Sequence, residues 1–145
     1  MATRTARTAW NGTLADGSGD VELSSSRLGT FHVSWPRRVS EGADGTTSPE
    51  ELVAAAHASC FAMQFSALIG EAGGTPHSLE VTADVGFAPD PAGGFHIDGI
   101  RLTVRGEVEG LDEARFLEVA DEAKRTCPVS KALQGVAITL DAALA

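Results

Sequence analysis

Thr47-Ser48-Pro49-Glu50-Glu51-Leu52, running on into VAAAHASCFAMQFSALIG (53–70), is the stretch on which the architecture turns. Ser48 is a good N-cap, Pro49 suits the first helical position, and Glu51 lies three residues after Ser48, where a capping box closes. Leu52 to Ile69 is then 18 residues without a charge, long enough to be weighed as a membrane span. Its alanines are only weakly apolar, and His57, Ser59, Gln64 and Ser66 dilute it further, whereas a span wants ~20 strongly apolar residues. The stretch therefore reads as a helix buried in protein, ended by Gly70, Gly73 and Gly74. A helix apolar all the way round must be covered all the way round, and a small domain covers only part of it. Burial in a dimer is expected to supply the rest.

On the N-terminal side, short β-like runs are punctuated by glycine: Ala9 to Leu14 before Asp16-Gly17, then Val21 to Leu23, then Phe31, Val33 and Trp35 alternating with His32 and Ser34. Pro36 to Thr47 is polar and Gly-rich, carries Arg37 and Arg38, and reads as a loop. On the C-terminal side, Leu79, Val81, Ala83, Val85 and Phe87 alternate with polar residues or glycine, as a strand with one dry face requires. Pro89 to Gly94 is a turn. The returning strand shifts phase between Ile97 and Ile100, which predicts a bulge at Asp98-Gly99. Asp112 can cap a helix whose stripe runs through Phe116, Ala120 and Ala123, and the same spacing places Cys127 inward. Val136, Ile138, Leu140 and Ala142 form a last strand. The expected fold is one α+β domain over 1–145: an N-terminal antiparallel β-meander, a long buried central helix, a β-hairpin, a second helix and a C-terminal strand.

Composition bounds the function. With 43% hydrophobic and 21% charged residues the chain matches ordinary globular usage. A formal charge of −9 and the lack of a basic stripe argue against a nucleic-acid partner. Arg4 and Arg7 are not followed by the apolar stretch of a secretory signal, and no lipidation box follows Leu144, so a cytoplasmic address without a membrane anchor is expected. In that reducing compartment a bond between cysteines is more often transient and catalytic than structural.

Cys60 and Cys127 are the only cysteines, 67 positions apart. With Pro128 at the first helical position, Cys127 becomes the N-cap of a short helix through Leu133, where unpaired amides and the helix dipole stabilise a thiolate, and Lys131 adds positive charge. Cys60 lies ten residues into its helix, where the dipole's terminal charge has faded. His57, three residues earlier on nearly the same face, is placed to interact with it. Spacing alone does not choose the nucleophile. Each feature also has a plain alternative: buried thiols as packing, His57 as a core histidine, Arg37 and Arg38 as solvated loop, Glu50 as a helix-start acid. A zinc site from His57, Cys60, His77 and Cys127 matches no paired ligand spacing, and no metal or cofactor is expected.

Thr47 to Leu52, then Ala55-Ala56-His57-Ala58 with Cys60-Phe61, and later Cys127-Pro128-Val129-Ser130-Lys131-Ala132-Leu133 resemble the two signature blocks of the OsmC/Ohr family. The element order agrees, so the resemblance spans nearly the whole chain. The His57-Ala58 and Cys-Pro-Val-Ser forms look more like the OsmC branch. Ser48 stands where the family often has asparagine, and the preceding loop is slightly longer.

The resemblance implies a thiol peroxidase that reduces organic hydroperoxides to alcohols in an intertwined homodimer. It assigns Cys60 as the peroxidatic cysteine and Cys127 as the resolving one, against the dipole argument. A cation near Cys60 is then needed, with Arg38 the preferred match and Arg37 the second, and Glu50 as the carboxylate that fixes it. Glu50 and Cys60 are about 15 Å apart along one helix, so either the Arg38 and Glu50 serving a given Cys60 come from the partner chain or the arginine bridges the gap from its loop. The reductant implied is an external dithiol, a lipoylated protein or a small thiol. Phe61, Met63 and Phe65 are expected as an apolar wall favouring alkyl or lipid peroxides. The rival readings are a non-catalytic dimeric binding protein for an apolar or acyl ligand and a structural disulfide, whose loop closure is worth about 4 kcal/mol.

Overall fold

In the computed structural model, which describes residues 1–145, the N-terminal meander forms as three antiparallel strands in spatial order: β1 (Arg7–Asn11), β2 (Ser18–Glu22) and β3 (Thr30–Val33). The alternation that ran to Trp35 stops two residues sooner. Ser34 is extended, and Trp35 opens a short helix, α1 (Trp35–Arg38), whose first turn accepts Pro36 because that position needs no amide hydrogen. Arg37 and Arg38 therefore sit on a helical turn rather than in the loop expected for Pro36 to Thr47. The chain divides into two compact units, Met1–Leu52 and Val53–Ala145.

The central helix, α2 (Pro49–Glu71), starts where its caps predict. Ser48 Oγ accepts the Glu51 amide at 3.2 Å, which is half of the capping box. The other half is diverted, because the Glu51 carboxylate takes the Thr47 hydroxyl at 2.7 Å. At the far end Gly73, with φ of 87°, donates to the Gly70 carbonyl, and Gly74 donates to that of Ile69. This is a Schellman stop that needs glycine at the left-handed position.

The second unit contains a sheet of β4 (Thr75–Pro89), β5 (Phe95–Glu109) and β6 (Ile138–Leu144) in that order. β4 and β5 are the expected antiparallel hairpin, whereas β6 lies parallel to β5. The predicted bulge is present: Gly86 pairs Gly99 and Phe87 pairs Ile97, leaving Asp98 as the extra residue. A Cβ at Gly86 would run into the Asp98 carboxylate, so the bulge dictates a glycine opposite. Between β5 and β6 come α3 (Glu113–Thr126), capped by Asp112, whose carboxylate accepts the Arg115 amide at 2.8 Å, and the five-residue α4 (Pro128–Ala132).

One face of α2 builds the core of this unit. His57, Phe61, Phe65 and Ile69, four residues apart, are wholly enclosed with Ile100, Leu102 and Val104 of β5 and Phe116, Val119, Ala120 and Ala123 of α3. The aromatic rings continue the contact, with Phe61 and Phe65 5.6 Å apart and Phe65 edge-on to Phe116 at 5.1 Å. The opposite side, with Ala55, Ala56, Ser59, Met63 and Ala67, is exposed within the chain. The helix expected to be buried all round is thus covered on one side by its own chain.

Candidate active site

Arg38 and Glu50, expected to pair, do so within the first unit. Arg38 closes α1 and Glu50 stands in the first turn of α2, where the helix dipole favours a carboxylate. The guanidinium is a fork: Nη2 donates to Glu50 Oε1 at 2.7 Å, and Nε donates to Oε1 at 3.1 Å and Oε2 at 3.3 Å. The Glu50 side chain is 9% exposed and that of Arg38 31%, so the carboxylate depends on this partner for its solvation. Arg37 turns away to a surface bond with Asp44 at 2.7 Å. Of the two arginines that sequence left in competition, Arg38 is the one bound to Glu50.

Arg38 also lines a cavity of about 350 Å3 within the same unit, whose apolar walls include Trp10, Leu14, Val33, Trp35 and Leu52. The Trp10 indole is held in place by donating to the Gly12 carbonyl at 3.0 Å. The sequence reading missed these walls and offered Phe61, Met63 and Phe65 in their place. That expectation is corrected: Phe61 and Phe65 are 0% exposed and belong to the core, while Met63 is 69% exposed on the open side of α2. The alternation around Trp10 and Trp35 was visible, but nothing in it distinguished a cavity wall from a sheet face.

The second unit brings the cysteines together. Both are free thiols, Cys127 fully enclosed and Cys60 half-buried against the same core. Cys127 is the N-cap of α4, as predicted, yet its side chain makes no capping bond. The first turn of α4 acts on the other sulfur instead: the Val129 backbone amide lies by Cys60 and favours its thiolate. Burial pushes the Cys60 thiol above its ordinary range and outweighs the Val129 amide, which lowers it, and the neighbouring Cys127 pushes it higher still. Within its own unit the reactive-looking thiol is therefore held protonated.

His57 was expected either as core or as a partner for Cys60, and its ring goes to neither sulfur. Nε2 lies 2.7 Å from Ser130 Oγ, in the residue after Val129, and burial lowers the imidazole's pKa. In the sequence Ser130 was part of the second signature block but was given no role of its own, although it stands three residues after Cys127, one turn along the same face. His77, the other histidine of the suggested zinc set, pairs with Glu109 at 3.2 Å on the surface.

The chain matches the family model described as OsmC-like protein over residues 42–141. It is 42% identical over 132 residues to peroxiredoxin OsmC of Escherichia coli strain K12 and, with the same figures, to that of Shigella flexneri, covering 91% of this chain and 90% of each relative. Among solved structures it is similar to the organic hydroperoxide resistance protein OhrB of Bacillus subtilis, at 29% identity and a TM-score of 0.75, over 96% of this chain and 98% of that one. It is also similar to an organic hydroperoxide resistance protein OsmC from Legionella pneumophila, at 25% identity and a TM-score of 0.72, over 99% of each chain.

Proposed function

The chain belongs to the OsmC-like family, and on that footing we propose that it is a thiol-dependent peroxidase that reduces organic hydroperoxides to alcohols and, less efficiently, hydrogen peroxide to water. The observation that carries the proposal is the meeting of Cys60 with Cys127 from opposite ends of the second unit, beside a helix-terminal amide. The Cys60 thiolate attacks the O–O bond, giving Cys60 sulfenic acid and an alkoxide that takes up a proton to leave as alcohol. The Cys127 sulfur then bonds to the Cys60 sulfur, and the displaced hydroxide leaves with the Cys127 proton as water. An external dithiol, a lipoylated protein or a small thiol, exchanges with the disulfide and restores both thiols.

Ionising Cys60 requires a positive charge that its own unit does not supply. Arg38, aimed by Glu50, is proposed as that charge, and its fork suits peroxide oxygens and the developing alkoxide. Because Glu50 and Cys60 share α2 ten residues apart, the pair is assigned to the Cys60 of a partner chain in a homodimer, whose interface would use the open side of α2. Mixed dimers of Arg38→Met and Cys60→Ser subunits then recover one working site, and none if the pair acts within its own chain. The apolar cavity around Arg38 supports an organic substrate. A cytoplasmic location fits chemistry that needs a reducing pool.

Stopped-flow mixing of reduced protein with cumene hydroperoxide and with hydrogen peroxide, followed by thiol counting, tests the core of the proposal. Consumption of Cys60 by both peroxides no faster than that of an ordinary cysteine removes it. The same cavity favours a second reading, an apolar or acyl ligand bound without redox chemistry; that reading requires ligand affinity to be indifferent to Cys60→Ser.

A further inference from the structure

The peroxidase reading employs Cys60, Cys127, Arg38 and Glu50 and leaves one enclosed ionisable group of the second unit without a task. His57 is wholly buried and neutral, with one ring nitrogen carrying hydrogen and the other a lone pair. Whichever role Nε2 takes toward Ser130, Nδ1 is left buried without a partner. A phenylalanine of similar size would fill the space without that penalty.

What the histidine gains is one short bond spanning 73 positions of the chain. It joins the turn of α2 just before Cys60 to the residue of α4 just after Val129, and so runs beside the contact between the Val129 amide and the Cys60 sulfur. α4 is too short to be held by its own hydrogen bonds, of which the helix ladder offers Lys131 N–H to the Cys127 carbonyl and Leu133 N–H to that of Val129. Its seat on α2 depends on side chains.

We propose that His57 and Ser130 are positioning residues for the reactive thiol: their hydrogen bond braces α4 on α2, keeping the Val129 amide on the Cys60 sulfur and Cys127 within bonding range. The inference rests on Cys60 being the peroxidatic residue. Loss of the brace frees α4, so Cys60 loses the one local group that favours its thiolate, and the resolving sulfur must search for its target.

Two readouts that need no peroxide test this. Ionisation of Cys60 is followed in a Cys127→Ser background, which also removes the one titratable neighbour acting on it, by thiolate absorbance and by iodoacetamide alkylation across pH. Closure of the Cys60 to Cys127 bond is followed in the otherwise unaltered protein with the thiol oxidant diamide. His57→Phe and Ser130→Ala are each expected to slow alkylation at neutral pH by about tenfold, through a profile displaced upward by about one pH unit, and to slow disulfide closure. Ser130→Ala added to His57→Phe should change nothing more, and His57→Gln, whose amide can reach the Ser130 hydroxyl, should recover most of the rate. Variants that melt earlier but keep the original alkylation profile and diamide rate would overturn the brace, as would strictly additive losses. A protein inert to hydroperoxides whose alkylation profile still moves in His57→Phe would remove the peroxidase reading and leave the brace standing.

Discussion

The Arg38–Glu50 pair of the first unit and the Cys60–Cys127 pair of the second handle ionisation in opposite ways. The first keeps two full charges partly buried by matching a planar fork to a carboxylate, each satisfying the other. In the second, burial works against charge, raising the Cys60 thiol and lowering the nearby His57 imidazole. The contrast teaches that the sulfur's surroundings are built to hold geometry, and that its charge must be supplied by something else. On the assignment proposed above, the nucleophile stays quiet until the arginine is in place, which limits side reactions of the thiol.

The sharpest way to break the comparison is to remove the sulfur. Cys60→Ser is expected to abolish peroxide consumption, while Cys127→Ser allows one turnover and leaves a sulfenic acid that dimedone traps and mass spectrometry weighs; multiple turnovers by the Cys60→Ser protein would end the assignment. Arg38→Met should lower kcat/KM for cumene hydroperoxide by about 10²- to 10³-fold, the size expected for losing a charge aimed at a developing anion. It also strands Glu50, so Arg38→Met/Glu50→Gln should regain stability in urea without regaining rate; recovery of rate in the double variant would deny Arg38 its role.

The two sides of α2 give a second contrast. Phe65→Ala should cost about 3–5 kcal/mol of unfolding free energy because it opens a hole in the core, whereas Met63→Ala, on the side assigned to the dimer interface, should weaken association of the two chains. An unchanged dimer dissociation constant in Met63→Ala would take that side out of the interface. The smallest effect concerns pH. Burial depresses the His57 pKa in the folded chain, so the unfolded chain takes up the proton first; stability is full above 6.5 and falls as the pH drops toward the folded value. Urea midpoints from about pH 7.5 to about 5 should fall less steeply in His57→Phe than in the parent, and an unchanged slope would contradict a neutral, enclosed imidazole.

Much of the fold was legible because local chemistry and global packing agree. Ser48-Pro49, the period-two runs of β4 and β5, the Asp98 bulge and the Asp112 cap each announce themselves within a few residues. The parallel seat of β6 was not, because alternation specifies a strand's faces and not its direction. Trp35 misled because the β3 alternation continues into it, while Pro36 quietly favours a helical turn. Of the candidate site, Cys60, Cys127, Arg38 and Glu50 came from the resemblance and not from spacing, and Arg38 gained support over Arg37 only from its bond to Glu50. Val129 and Ser130 stayed hidden because a backbone amide and a hydroxyl act through position, and position is a property of tertiary structure.

The last strand, β6, pairs with β5 alone and forms one edge of its sheet. Its Ile138, Leu140, Ala142 and Leu144 pack against the same core that encloses Cys127. Fraying of this one strand would therefore bare an edge of β5 and thin the wall that keeps solvent from the second sulfur.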